Sequence, residues 1–159
     1  MTDVGHWGAA KRSIEFDATT IDEFLPDDLA VDLVKIDVEG HEPFVMRGMR
    51  NTIKRSPNIR IFLEFVEAFL AHTVIAELFV EEIDSLGLRI CRVLPGSRLE
   101  LIERGQTLRG ANFCLLTRTP AEDIAHARRA GSRLSVRLAR CIRRLEAKWD
   151  KYRHALDRM

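Results

Sequence analysis

Two short, nearly continuous apolar runs constrain the fold of this 159-residue chain more than any other feature. They are VDLVKIDV at residues 31–38 and IRIFLEFV at residues 59–66, and both are rich in β-branched or aromatic side chains. Strands that are covered on both faces, as in a parallel sheet, have this character. Each run therefore predicts a buried β-strand.

Helical patterns alternate with these strands. Pro43 and apolar residues at four-residue spacing predict one amphipathic helix over residues 42–55. A second helix is predicted over residues 75–86, with Thr73 as its N-cap and Gly87 at its end.

The remaining elements are shorter. We predict an edge strand at residues 13–17, a helical turn that begins after Thr20 and stops at Pro26, and further strands at residues 88–94, 99–102 and 112–118. The alternation of strands and helices predicts a largely parallel α/β sheet. The last strands follow one another without a clear helix, which predicts an antiparallel strand at or near one edge.

Charge divides the chain into two parts, residues 1–119 and residues 120–159. The second part has 11 Lys or Arg against 5 Asp or Glu, although the net charge of the whole chain is only +1. Its apolar residues recur three and four apart, which predicts a long basic amphipathic helix; they are Leu134, Leu138, Cys141, Leu145, Trp149, Tyr152 and Leu156. Nucleic acid, anionic lipid and an acidic partner are all conceivable ligands. The regular spacing of these apolar residues, which form a seam along the helix, favours self-association of the helix or its packing on the domain. It disfavours nucleic-acid binding.

The cysteines and the hydropathy pattern bear on the cellular setting. Cys91, Cys114 and Cys141 are odd in number and far apart, which disfavours a zinc site and a disulfide framework and favours a reducing, cytoplasmic setting. No stretch approaches the ~18 consecutive apolar residues of a membrane span, and residues 1–13 lack the apolar run of a signal peptide. The sequence therefore predicts neither a membrane span nor a signal peptide.

Acidic residues follow both buried strands, where ligands bind in open α/β sheets. Asp37, Glu39, Gly40 and His41 end the first strand, and Glu64 lies at the end of the second. On an extended backbone Asp37 and Glu39 face the same side, and a parallel sheet would bring Glu64 beside Asp37. We call this group of residues at the strand ends the rim. It is suited to binding a sulfonium, hydrogen-bonding a sugar hydroxyl, holding a metal or accepting a proton. Alternatively, these acids only cap the helix that follows.

The residues of this region resemble those of the FkbM-type methyltransferases. The resemblance lies in Ile21–Leu25, in Asp32–Glu42 with its KIDVEGHE block, in Met46–Gly48, in Ile61–Glu64 and in Asn112–Leu116. It implies a Rossmann-like fold of the class I methyltransferase type, with S-adenosylmethionine as methyl donor. It also implies O-methylation of a small-molecule acceptor such as a saccharide or a polyketide.

The same resemblance implies roles for individual residues. Asp37 or His41 would act as the base, whereas Glu39, Gly40 and Glu64 would bind substrate or cofactor. Methyl transfer to a hydroxyl needs the acceptor oxygen held close to the methyl carbon and usually a base for its proton. No metal ligand is implied.

The chain departs from the family at its start. The family opens with a strand, a glycine-rich turn and a second strand, and here only Asp3–Gly8 imitates that turn. We therefore expect a C-terminal portion of the domain whose first strands are missing. Two alternatives remain: a non-catalytic remnant that associates through its C-terminal helix, as a homo-oligomer or with a missing N-terminal half, and another doubly wound, nucleotide-binding enzyme.

Overall fold

A computed structural model describes residues 15, 17–70, 75–95, 98–106 and 108–128. In this part of the chain six helices and five strands form one mixed α/β unit. The helices are α1 (Ile21–Phe24), α2 (Glu42–Arg47), α3 (Arg50–Arg55), α4 (Glu67–Leu70), α5 (Ala76–Ser85) and α6 (Pro120–Arg128). The strands are β1 (Leu33–Ile36), β2 (Arg60–Val66), β3 (Arg89–Leu94), β4 (Arg98–Leu101) and β5 (Ala111–Thr117).

The sheet has the order β1-β2-β5-β3-β4, and only β1 and β2 pair in parallel. The prediction of a largely parallel sheet is therefore wrong for the described strands. β5 enters between β2 and β3 and runs antiparallel to both. The physical reason is the hairpin that follows β3. β4 turns back along β3, and β5 runs in the same direction as β4 on the other side of β3, since no described helix between β4 and β5 restores the direction of β1, β2 and β3.

Two details of this topology agree with the sequence analysis. β4 is an antiparallel strand at one edge, as predicted. β1, β2 and β3 share one direction, since β2 and β3 both run opposite to β5.

The helical turn predicted after Thr20 is confirmed. The Thr20 hydroxyl accepts a hydrogen bond from the Glu23 N–H at 3.2 Å, and the Glu23 carboxylate accepts one from the Thr20 N–H at 3.1 Å. This capping box satisfies two donors that a helix start leaves open, and the chain is extended again at Leu25.

The single helix predicted over residues 42–55 is instead two, α2 and α3, which are interrupted at Gly48 and Met49. The interruption is the place where α1 docks. The Asp22 N–H donates to the Gly48 carbonyl at 2.9 Å, and a Cβ on Gly48 would lie 3.2 Å from the Thr20 Cβ. The break also leaves the first amides of α3 open to the Asp22 carboxylate.

Each face of the sheet carries its own apolar cluster. Helices α2, α3 and α5 pack on one face. Their residues Met46, Ile53, Phe79 and Ile83 join strand residues such as Ile36 and Leu63 in one cluster. Helix α6 packs on the other face, over Phe62, Cys91, Leu99, Phe113 and Leu115. β1 is less covered than predicted, because Leu33 is 47% exposed and Lys35 is also exposed. It is an edge strand among the described residues, and neither Leu33 nor Lys35 belongs to either apolar cluster.

Several predictions concern residues outside the described part of the chain. These are the Asp3–Gly8 segment, most of the strand at residues 13–17, the N-cap at Thr73 and the C-terminal helix beyond Arg128. The start of the C-terminal part is described as α6. Its Asp123 is buried, where it accepts hydrogen bonds from Arg60 Nε at 2.7 Å and from the Thr117 hydroxyl at 2.6 Å.

Candidate functional site

The carboxyl ends of β1 and β2 lie side by side. The two strands pair in parallel with Ile36 opposite Leu63. Asp37 directly follows the paired segment on β1, and Glu64 directly follows it on β2. The parallel pairing on which the site prediction depends is thus present.

Lys35 belongs to this rim, although the sequence analysis gave it no role. Its ammonium nitrogen lies 2.7 Å from the Asp37 Oδ2, and the Asp37 side chain is only 18% exposed. The two residues are two apart at the end of a strand, so they share a face. The alternation that revealed Asp37 could have revealed this lysine.

Residues Val38 to His41 form a type I′ turn. Glu39 and Gly40 both have positive φ, +52° and +97°, and the His41 N–H donates to the Val38 carbonyl at 3.3 Å. Among the described residues Glu39 is the only non-glycine with positive φ. Because β1 ends at Ile36, strand alternation does not decide whether Glu39 and Asp37 face the same side.

Gly40 is required by a close contact as well as by its conformation. A Cβ at this position would lie 2.7 Å from the carbonyl oxygen and 3.1 Å from the Cβ of Phe69. Phe69 belongs to α4, so this helix forms a wall behind the turn. A glycine at this position therefore permits the tight turn.

The two residues that follow the turn differ in environment. His41 stands at the start of α2 without capping it through its side chain, and its ring lies 6.0 Å from the ring of Phe44. Phe44 is 52% exposed and carries Arg47 over its face, with Cζ 5.8 Å from the ring centroid. Glu42 is buried, and its Oε1 accepts a hydrogen bond from the Val38 N–H at 3.3 Å. Glu42 therefore closes the turn.

Glu67, at the end of β2, is held by residues more than 40 positions away. Its Oε2 accepts a hydrogen bond from the Gly110 N–H at 2.8 Å, its other oxygen pairs with Arg109, and its own N–H donates to the Gly110 carbonyl at 2.9 Å. Arg109 also pairs with Glu77 of α5 at 3.1 Å. The hydrogen bond from Gly110, and then Arg109, hold the pKa of Glu67 below its ordinary value.

Asp22 satisfies the start of α3 from outside that helix. Its carboxylate accepts hydrogen bonds from the Asn51 N–H at 2.9 Å and from the N–H and the hydroxyl of Thr52, both at 2.7 Å. Burial by itself raises the pKa of Asp22, but these hydrogen bonds and nearby Arg55 outweigh it and lower the pKa. Asp22 is therefore a structural cap of α3.

The cysteines in the described residues are poor nucleophiles. Cys91 and Cys114 are buried free thiols. Burial raises the pKa of Cys91 to about 11 and that of Cys114 to about 12, so both remain protonated at neutral pH. Thiolate catalysis by either residue is therefore disfavoured.

The described part of the chain contains no group of three or more His, Cys, Asp or Glu side chains placed to hold a metal ion. Nor does any helix there have the length and apolar character needed to cross a membrane.

The model of one protein family matches the chain. It is the methyltransferase FkbM domain, and the match covers residues 4–91, more than half of the chain. The chain belongs to the FkbM methyltransferase family. No curated protein and no solved structure matches the chain significantly. The FkbM domain is that of a methyltransferase. Members of the family generally use S-adenosylmethionine.

The structure separates the acids of the FkbM resemblance into two groups. Asp22 and Glu42 are bound to backbone N–H groups and hold helices and turns in place. Asp37, Glu39 and Glu64 end the parallel pair of strands or occupy the turn that follows. The second group is the candidate active site.

Proposed function

We propose that this domain transfers a methyl group from S-adenosylmethionine to a hydroxyl of a sugar or natural-product acceptor. The observation that carries the proposal is the FkbM match over a segment in which β1 and β2 pair in parallel, with Asp37 and Glu64 directly after the paired residues. The shared direction of β1, β2 and β3 supports a Rossmann-like arrangement, with β5 as an antiparallel insertion.

The rim suits a cationic cofactor. Glu39 is exposed and Glu64 is half-buried, and both lie close in sequence to the end of the parallel pairing, where negative charge would favour a sulfonium electrostatically. Glu39, Gly40 and Glu64 are the residues of the described chain that would contact cofactor or acceptor. When bound, S-adenosylmethionine supplies an electrophilic methyl group.

The protein side chains orient the acceptor and take its proton. Glu39 and Glu64 accept hydrogen bonds from acceptor hydroxyls, which fixes the oxygen that will bond to the methyl carbon. Asp37 or His41 removes the proton of that hydroxyl as the new C–O bond forms. Lys35, paired with Asp37, fixes the orientation of that carboxylate.

A cytoplasmic location is part of the proposal. Cys91 and Cys114 are unpaired thiols, which a reducing compartment maintains. The acceptor is a small molecule or a saccharide.

Transfer of a labelled methyl group tests this function. Purified protein, alone and with an N-terminal half of the domain supplied, is incubated with radiolabelled S-adenosylmethionine and a panel of hydroxylated sugars and polyketides, and binding of S-adenosylhomocysteine is measured by calorimetry. We expect binding and transfer that fall at least tenfold in Glu39→Gln and Glu64→Gln, whereas Glu100→Gln, which changes an exposed acid on β4, leaves both unchanged. Absence of cofactor binding at millimolar concentration would count against the proposal.

A second candidate function is association through residues 120–159. The charge asymmetry of this part and its apolar seam favour it. Sedimentation of the full chain and of a chain ending at Arg128 tests it, and we expect a concentration-dependent oligomer only in the full chain. Identical sedimentation of the two would exclude this role.

A further inference from the structure

We infer that Glu67 is a positioning residue, which with Arg109 fixes α4 and through it the Glu39–Gly40 turn. The inference rests on the proposed function for the importance of the turn, but not for the mechanical coupling itself. Glu67 contacts neither strand end of the rim by its carboxylate; it acts through the helix that it begins.

The turn needs support from its surroundings. A non-glycine residue with positive φ costs about 1 kcal/mol or more and persists only where neighbouring structure enforces it. Within the turn, the bonds from His41 N–H to Val38 O and from Val38 N–H to Glu42 Oε1 are both long, at 3.3 Å. The close packing behind Gly40 adds a further constraint on the turn.

That packing comes from α4. The Phe69 backbone lies against the Cα of Gly40, so closely that a Cβ there would overlap its carbonyl oxygen. α4 has only four residues, and a helix of this length is not stable by itself. Its position is set by its two ends: Leu70 is buried in the main apolar cluster, and Glu67 is fixed outside that cluster.

Glu67 joins three elements at the first residue of α4. It exchanges two hydrogen bonds with Gly110, just before β5, and pairs with Arg109, which also reaches Glu77 in the first turn of α5. Loss of this carboxylate removes the hydrogen bond from the Gly110 N–H and the ion pair with Arg109, while the bond from the Glu67 N–H to the Gly110 carbonyl and the apolar cluster remain. The start of α4 is then held less firmly, and so is the turn that packs against it.

Hydrogen exchange of single amides tests this coupling in the full chain. In Glu67→Ala we expect the amides of Val38 and His41 to exchange about tenfold faster, while the Leu115 amide in central β5 changes much less. Glu67→Gln, which can still accept the hydrogen bond from Gly110, should show a smaller effect. Glu67→Gln also provides the test if Glu67→Ala fails to fold.

Asp84→Ala is the matched control. Asp84 lies on α5, away from the turn, and forms an exposed ion pair with Arg104. Equal acceleration in Asp84→Ala, or an unchanged exchange rate at His41 in both Glu67 variants, would overturn the inference. Affinity for S-adenosylhomocysteine, measured on the same samples, separates the two proposals. If the unmodified protein binds none, the proposed function fails, while the exchange rates still decide the role of Glu67.

Discussion

Two corners of this domain carry acids of the same resemblance and use them in opposite ways. At the corner of α1 and α3, Asp22 accepts three hydrogen bonds and lies near Arg55. In the turn after β1, Glu39 is exposed, adopts a positive φ, and forms no hydrogen bond or ion pair within the described residues. The first acid stabilises the fold, whereas the second is held at a cost to it. A residue kept in a strained conformation without a structural partner is a candidate for function.

The largest expected effect concerns the wall behind the turn. Gly40→Ala places a Cβ 2.7 Å from the Phe69 carbonyl at a φ of +97°, so we expect a loss of about 3 kcal/mol in the free energy of unfolding. Gly105→Ala is the control, because its φ is +82° but nothing lies within 4 Å of the added Cβ. Its cost should be about 1 kcal/mol. Urea unfolding measures both, and equal losses would show that α4 does not press on the turn.

The next effect concerns the structural corner. Asp22→Ala removes the cap of α3 and leaves the N–H groups of Asn51 and Thr52 without their acceptor, which should cost about 2 kcal/mol. Asp17→Ala, at an exposed acid before α1, is the control and should change stability by less than about 0.5 kcal/mol. Thermal unfolding of the unmodified protein and of both variants measures these losses of stability. Equal losses in Asp22→Ala and Asp17→Ala would contradict the assignment of Asp22 as the cap of α3.

A substitution in the turn should change stability in the opposite direction. Glu39→Gly relieves the positive φ at some cost in chain entropy, so we expect a gain of about 0.5–1 kcal/mol. A gain of 1 kcal/mol raises Tm by about 2–4 °C in a domain of this size. Binding of S-adenosylhomocysteine should fall in the same variant. A destabilised Glu39→Gly would mean that the carboxylate serves the fold, and the contrast between the two corners would be lost.

The smallest effect is a pH dependence of the Asp22 corner. The pKa of Asp22 is lower in the folded protein than its ordinary value of 3.8, so its contribution to stability is complete above that value. The contribution is lost as the pH falls through the lowered folded pKa, because protonation removes the charge that the N–H groups stabilise. The difference in stability between the protein and Asp22→Asn should therefore shrink between about pH 5 and pH 2. A difference independent of pH would contradict the charged cap.

Local patterns predicted local structure well. The capping box of Thr20 and Glu23 and the turn at Gly40 involve residues within three or four positions, so their hydrogen-bonding groups are readable from the sequence. The two apolar runs gave a parallel pair of strands, because a helical connection between two strands normally makes them parallel. For the candidate site, this placed Asp37 and Glu64 at one rim.

What failed depended on distant partners. The break at Gly48 arises because α1 docks there, and the amphipathic pattern of residues 42–55 does not contain that contact. The prediction of a largely parallel sheet failed likewise, since β5 has apolar character that suits either direction and either neighbour.

The sequence by itself determined the positions of the strands, the approximate positions of α1 and α5, and the family to which the acids belong. Only the tertiary structure decided what each acid does, because Asp22 meets its partners 29 residues away and Glu67 meets Arg109 42 residues away. Local patterning sets which backbone conformation is favourable, but the partner of a charged side chain is chosen by which strands become neighbours. In this domain that choice left Glu39 exposed on a strained turn and bound Asp22 and Glu67 into the fold.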